Sequence, residues 1–585
     1  MLHDKHAKGA THIAAVIGIV CHADRSPKHK LSHTITDPEI LAKIFPGSLA
    51  HRAAEHQPQM TGDSTDSDAD DNFKQETPQN KKKPRHVILD QGHESLPKLI
   101  SLFGGDPLLH HPGSQHLSPT RRSNNTLTLL TNANIHNIKF TKSAVDPTGR
   151  VISATMTCKW GGDITPMGQV QATRFAVTIL QRAGLPPNGC LAQCIAASEP
   201  RVMETASIIT TKMASFHNFS SPPCIFKDDQ ILQNDRAQLN AVFNEREKAI
   251  SVILCIDDED DAHLHTYLIG FKELLDTPGC NTPFDVVKSA VQQLDQLNAA
   301  IDLLLRSDEE NEDYCVLKQR YGQIAIDISR PSSTFGAPFN CSKFSLLFDA
   351  LTYDIAENED VFTKPEIMTV GTSLLAVVRS IHVVMRSNLM GFNKPKKLLT
   401  SALVIAPLLR RIHSMIDTAT QPYGGPTETY GGPTLRRIHS MIETAAPSSA
   451  PFPETAEPVP LTLFFTSGLV IDALRESFRE SRVLQAELGE GPRREMYLAD
   501  LRGFHYMTHL VIKVIYDSQK ASHVELFLSS GAELASRDSG KAFENTVAPL
   551  VRIASLSQEV FIKFLDEICS LSKHAHMLAK KSMLA

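Results

Sequence analysis

The chain has 585 residues, 42% of them hydrophobic, and a formal net charge of -6. That length accommodates several core-sized units, and the composition is that of an ordinary globular protein. The acidic balance argues against a general nucleic-acid binder, and no uninterrupted apolar run approaches the roughly 20 residues that cross a bilayer, so no transmembrane segment is expected.

The first predicted element is a buried strand over Ile13 to Val20, rich in β-branched residues. It runs directly into Cys21-His22-Ala23-Asp24-Arg25-Ser26-Pro27-Lys28-His29-Lys30. A strand that delivers an imidazole and a guanidinium to a sheet edge suggests a phosphate site. The same run makes a poor signal peptide, being short, without a small-residue cleavage site and followed at once by charge, so a cytoplasmic address is expected. The ten cysteines are scattered, and the closest pair, Cys190 and Cys194, has no second pair nearby. Structural thiols are therefore expected rather than a zinc site, and no metal or other cofactor is called for.

Gln57 to Arg85 combines an acidic Ser/Asp stretch with Lys81-Lys82-Lys83-Pro84-Arg85 and reads as a disordered loop, as does His110 to Asn125. Val151 to Thr157 reads as a strand. Beyond it, Thr165 is a good N-cap and Pro166 suits the first helical position, which predicts a helix to about Arg182 whose first amides favour an anion. Cys194 to Pro200 resembles another strand end, and Arg201 to Phe216 the next helix. Between Phe284 and Leu305, apolar residues at spacings of three and four predict one amphipathic helix. Helical signals then dominate to about Thr418, interrupted at Arg330 to Asn340. Leu409 to Ile416 recurs as Leu435 to Ile442, a local duplication read as a surface insertion or an error in the gene model. Ala446 to Pro460 is a Pro-rich linker. Leu461 to Phe465 and Val524 to Leu528 read as strands, and Tyr506 to Tyr516 as a helix.

His22-Ala-Asp-Arg25-x-Pro27, the block from Trp160 to Gly168 and Ser198-Glu-Pro-Arg201, in this order, resemble branch 2 histidine phosphatases. More closely they resemble the C-terminal phosphatase half of the bifunctional inositol hexakisphosphate and diphosphoinositol pentakisphosphate kinases. The resemblance extends through Leu408 to Ile412, Leu463 to Ser467, His505 to His509 and His523 to Leu526. It implies an α/β fold: a histidine phosphatase, phosphoglycerate mutase-like, three-layer core with a mostly helical cap insertion. The core would comprise residues 1–224 and 456–585, and the cap 225–455. The family's ATP-grasp kinase domain does not fit before Ile13, so the chain resembles a phosphatase half that is either split from its kinase or a fragment, with a separate kinase domain or subunit as partner.

The resemblance implies that His22 is a catalytic nucleophile forming a phosphohistidine, and that Arg25 and Arg201 clamp the phosphate. The substrates it implies are inositol phosphates and pyrophosphates, making the chain a hydrolase that removes a β-phosphate from diphosphoinositol polyphosphates. For Lys28 and Lys30 two readings stay open, a phosphate contact or a solvated basic face; for Lys394 to Lys397 a solvated face is expected. Two positions depart from the family. Cys21 stands where an Arg precedes the nucleophile, and Val470 stands where the pattern Thr-Ser-Glu-Ser-His places a second pocket His. Losing one charge-stabilising donor costs about 10²- to 10³-fold. The alternative is therefore a catalytically impaired pseudophosphatase that binds inositol phosphates as a sensor.

Overall fold

A computed structural model describes residues 12–27, 29–36, 38–45, 87–89, 135–147, 150–185, 190–216, 223–232, 236–307, 312–331, 337–420, 459–488, 506–516, 522–531, 548 and 550–584. The chain forms two compact units, Met1–Arg25 with Asp163–Ala585, and Ser26–Gly162.

After β1 (His12–Cys21) the chain enters the smaller unit. This contains β2 (His29–Ile35), α1 (Pro38–Ile44), β3 (Val87–Leu89), β4 (Ile135–Val145) and β5 (Val151–Trp160). Its strands form an antiparallel sheet in the order β2-β5-β4-β3. Asp146 closes the β4–β5 turn, its backbone N–H donating to the Arg150 carbonyl and its carboxylate accepting from the Arg150 N–H, each at 2.9 Å. Phe45, Phe140, Ala154 and Met156 are buried.

The larger unit resumes with α2 (Pro166–Ala183), β6 (Cys190–Ala196), α3 (Pro200–Phe216) and β7 (Ile225–Lys227). A run of helices follows: α4 (Arg236–Ile253), α5 (Pro283–Ser307), α6 (Glu312–Ile328), α7 (Phe344–Glu357), α8 (Pro365–Ser387) and α9 (Lys394–Thr420). It ends with β8 (Val459–Thr466), α10 (Gly468–Glu480), α11 (Arg482–Leu488), β9 (His509–Tyr516), β10 (Ser522–Ser529), β11 (Val551–Ser557) and α12 (Gln558–Leu584).

Seven strands form one mixed sheet, β11-β10-β9-β1-β8-β6-β7. β1 pairs parallel with β8, and β8 parallel with β6, while β9 runs antiparallel on the other side of β1. The register sets Cys21 beside Thr466 and Ala196 beside Phe465, with His509 beside Val20. The residues following β1, β8 and β6 and those preceding β9 therefore share one sheet edge, the carboxyl ends where open α/β sheets bind ligands.

Two hydrophobic cores lie in this unit. The first joins the sheet to α2, α3, α9, α10 and α12 and includes Ile17, Phe175, Ile209, Leu408, Phe464 and Phe564. The second is built by the helices between Ile250 and Met385. The periodicity expected over Phe284 to Leu305 is present in α5, where Val287, Ala290, Leu294, Leu297 and Ile301 are all buried in this second core. Burial of each large aliphatic side chain contributes about 1.5–3 kcal/mol. α8 and Lys394–Thr418 are long and apolar enough to cross a membrane by length and composition; each buries one face in these cores.

Two expectations are corrected. Tyr506 to Tyr516 is not a helix: His509–Tyr516 is the strand between β1 and β10, its first six residues buried. A strand covered on both faces loses the alternation that marks a half-exposed one, so its apolar run resembles a buried helix. The first copy of the duplication is not a surface insertion, because Leu409, Ile412 and Ile416 lie in the sheet core on α9. The second copy, the 57–85 segment, His110 to Asn125 and nearly all of the Pro-rich linker fall outside the described residues.

Candidate active site

The loop after β1 is shaped by its own backbone. Thr165 caps α2 as expected, its Oγ1 accepting from Gly168 N–H at 2.9 Å and donating to Asp24 Oδ2 at 3.0 Å. The Thr165 N–H donates to the Asp24 carbonyl at 3.1 Å. The anion beside the start of α2 is thus the protein's own Asp24, whose carboxyl burial pushes up to about 6 against these hydrogen bonds. Gly168 permits the approach, since a Cβ there would lie 2.2 Å from the Asp24 oxygen. Gln171 Oε1 accepts from Asp24 N–H at 3.0 Å, and Thr205 Oγ1 from Ala23 N–H at 3.0 Å, so both α2 and α3 hold the loop.

His22 is 6% exposed. Its Nδ1 lies 2.9 Å from the Ala23 carbonyl oxygen, which can only accept. Nδ1 therefore carries the proton, and Nε2 presents a lone pair. Burial, then the charge of Arg201 and those of Arg25 and Arg386, hold the imidazole pKa well below 6.5. The result is a neutral imidazole in a cationic setting. The ring packs 5.7 Å from that of Tyr506, and Met507 N–H donates to the His22 carbonyl at 3.1 Å. Met507 takes a φ of 63°, the one positive value at a non-glycine among the described residues.

Three guanidinium groups act on His22, each paired with a carboxylate. Arg25 Nη2 meets Asp349 Oδ2 of α7 at 3.2 Å, and Arg201 pairs with Glu199. Arg386, at the end of α8, contacts Asp472 Oδ2 of α10 through Nε at 3.0 Å and Nη2 at 2.8 Å. Arg25 and Arg201 follow from the sequence motifs; Arg386, Asp349 and Asp472 do not. The sequence marks Arg386 only as one of two arginines on α8, with Arg379, at the end of a largely apolar helix.

Cys21 is buried at the end of β1, and burial pushes its thiol up to about 11. Burial thus disfavours the thiolate that a cysteine nucleophile requires. Val470 is buried on α10 and has no proton to give. Lys28 lies outside the described residues. Lys30 occupies β2, opposite Lys159. Lys396 is exposed, in line with the solvated face expected for Lys394 to Lys397, whereas Lys394 is half-buried and held by Gln485 and Lys397 is buried. Among the described residues, no group of three or more His, Cys, Asp or Glu side chains is placed to hold a metal ion.

His509 is a core residue rather than a pocket one. Its Nδ1 donates to the Met507 carbonyl at 2.8 Å, its ring meets Phe175 edge-on at 4.9 Å, and burial pulls its pKa down to about 4. Above about pH 6.5 neither the folded nor the unfolded chain protonates this group. As pH falls from 6.5 towards 4 the unfolded chain takes the proton first, so stability drops by about 1.4 kcal/mol per pH unit on this account alone. Urea titrations of wild type and His509→Gln should therefore differ in pH slope by about that amount over this range. Equal slopes would mean that His509 is not held neutral.

A buried imidazole with an unprotonated Nε2 among guanidinium groups, at the carboxyl edge of a mixed sheet, is an arrangement whose charge and geometry suit a phosphoryl group. The model of the histidine phosphatase superfamily (branch 2) matches residues 12–529, and the chain belongs to that family. It is 22% identical over 424 residues to the rat inositol hexakisphosphate and diphosphoinositol-pentakisphosphate kinase 1, covering 65% of this chain. The match spans 28% of the rat protein's length. Solved structures that align with it include the apo form of Hafnia alvei phytase, with 11% identity, TM-score 0.36 and coverage of 95% of this chain and 97% of that one. The same phytase in complex with myo-inositol hexakis sulphate aligns with 11% identity, TM-score 0.37 and coverage of 96% and 98%. Klebsiella sp. ASR1 phytase aligns with 10% identity, TM-score 0.37 and coverage of 97% of each chain.

Proposed function

We propose that the chain removes the β-phosphate of diphosphoinositol polyphosphates through a phosphohistidine at His22. The observation that carries this reading is the 2.9 Å contact of His22 Nδ1 with the Ala23 carbonyl, which assigns the proton to Nδ1 and leaves Nε2 unprotonated, among guanidinium groups. Nε2 attacks the β-phosphorus, the bond from phosphorus to the bridging oxygen breaks, and its electron pair leaves with the inositol-bound phosphate. Water then attacks the phosphorus, the P–N bond breaks with its electron pair returning to Nε2, inorganic phosphate departs with the water's protons, and His22 returns to its neutral form. Arg25 and Arg201 stabilise the equatorial oxygens in both steps. The inositol class rests on family membership and on the relative's name, and a separate kinase domain or subunit is the partner that name suggests.

Val470 decides between substrates. An alkoxide leaving group needs a proton donor, a contribution of about 10²- to 10⁴-fold. A phosphate leaving group, with its second pKa near about 6, departs without one. Phosphate release from a diphosphoinositol polyphosphate should therefore exceed release from inositol hexakisphosphate by at least about 10²-fold at pH 7. Equal rates on the two substrates would contradict the assignment.

A second reading, a pseudophosphatase that senses inositol phosphates, is favoured by Cys21 and by the carboxylate paired with each pocket arginine. Binding of a diphosphoinositol polyphosphate without any phosphate release would support it and exclude the enzyme.

A further inference from the structure

We infer that Arg386, on the cap helix α8, is the phosphate-binding guanidinium that stands in for the arginine absent at position 21. This rests on the phosphatase reading of the pocket. The placement is read from Gly468, the first residue of α10, which follows β8 and the helix N-cap Ser467. A Cβ built on Gly468 would lie 2.6 Å from Arg386 Nη2, 3.7 Å from its Cζ and 3.8 Å from Cys21 Sγ. The guanidinium and the Cys21 thiol thus flank one spot at the sheet edge, where any side chain at 468 would collide with the cation. The family pattern has Glu at this position and Arg at position 21. Here both are reduced, to Gly and Cys, and an arginine from another element occupies the space.

The group is also preorganised. Val384 and Met385, just before it, are buried in the cap core. Asn388, just after it, is fully buried, donating from Nδ2 to the Ile269 and Val384 carbonyls at 3.0 and 2.9 Å and accepting from Ile269 N–H at 3.1 Å. Asp472 fixes one edge of the guanidinium through Nε and Nη2. An arginine offers five N–H donors, and with its side chain 38% exposed, Arg386 keeps donors for an anion. Asp472, 5% exposed, acts as its positioning residue. The charge of Arg386 is felt by both His22 and Cys21, as expected of a group that would face the same phosphoryl oxygens.

The test uses the full chain and two readouts, calorimetric binding of inorganic phosphate and turnover of a diphosphoinositol polyphosphate. Arg386→Ala should weaken phosphate binding about 10-fold and lower kcat about 10²-fold. Gly468→Ala leaves Arg386 and Asp472 chemically intact but displaces the cation, and should reproduce both losses with little change in Tm. Adding Cys21→Arg to Arg386→Ala restores a guanidinium from the neighbouring strand and should recover at least about 10-fold in both readouts. A purely structural role predicts a lower Tm and no such recovery. The proposal is overturned if Arg386→Ala and Gly468→Ala bind phosphate as the wild type does, if Cys21→Arg recovers nothing, or if the wild type binds no phosphate. Loss of phosphate affinity in Arg386→Ala, with no wild-type turnover of the diphosphate, supports Arg386 and removes only the substrate assignment.

Discussion

His22→Ala lowers phosphate release from a diphosphoinositol polyphosphate by roughly 10⁴-fold or more, the scale seen when a nucleophile is removed from an otherwise intact site. Substrate binding should survive within several-fold, because the guanidinium groups of Arg25 and Arg201 are held by their own carboxylates, Asp349 and Glu199, and not by the His22 ring. The loss should fall on kcat rather than KM. A KM effect of the same size would mean that His22 binds substrate but does not react. A variant that keeps a tenth of wild-type turnover would place the nucleophile elsewhere.

Gly168→Ala is the largest expected effect from a residue that touches no substrate. Its Cβ would stand 2.2 Å from the Asp24 oxygen and 2.8 Å from Ile164 Cγ2. The first of these is backbone in a loop fixed by Gln171, Thr165 and Thr205, so it cannot yield cheaply. Overpacking costs about 1–3 kcal/mol, and this case belongs at the upper end. The displaced loop carries His22 and Arg25, and a shift near 1 Å in a reacting group costs about 10²-fold. Urea unfolding and kcat measured on the same preparation check both effects together. Wild-type stability with wild-type turnover would show that the close approach of α2 to the loop has no functional weight.

Much of the core was legible because its signals are local. β1 and β8 are apolar runs, and α2 begins on a Thr-Pro pair whose cap the structure contains. His22, Arg25 and Arg201 sit beside such signals, and the sheet register brings their segments to one edge. What the sequence concealed depends on contacts between distant elements. β9 read as a helix because it is covered on both faces, and α9 read as cap although Leu408, Leu409 and Ile412 complete the sheet core. Arg386 is 364 positions from His22 and belongs to no motif; only the empty side of Gly468 marks its place. The departures at positions 21 and 470 were visible as losses, whereas the group that lies beside Cys21 is visible only in three dimensions.

The most direct test of the central claim is to trap the covalent intermediate. Wild-type protein would be mixed with a diphosphoinositol polyphosphate carrying labelled β-phosphate, quenched in alkali, which preserves phosphohistidine, and digested with trypsin. The account predicts acid-labile label on the peptide ending at Arg25, located at His22 and absent from His22→Ala. Phosphate release without label at His22, or label on any other residue, would contradict it.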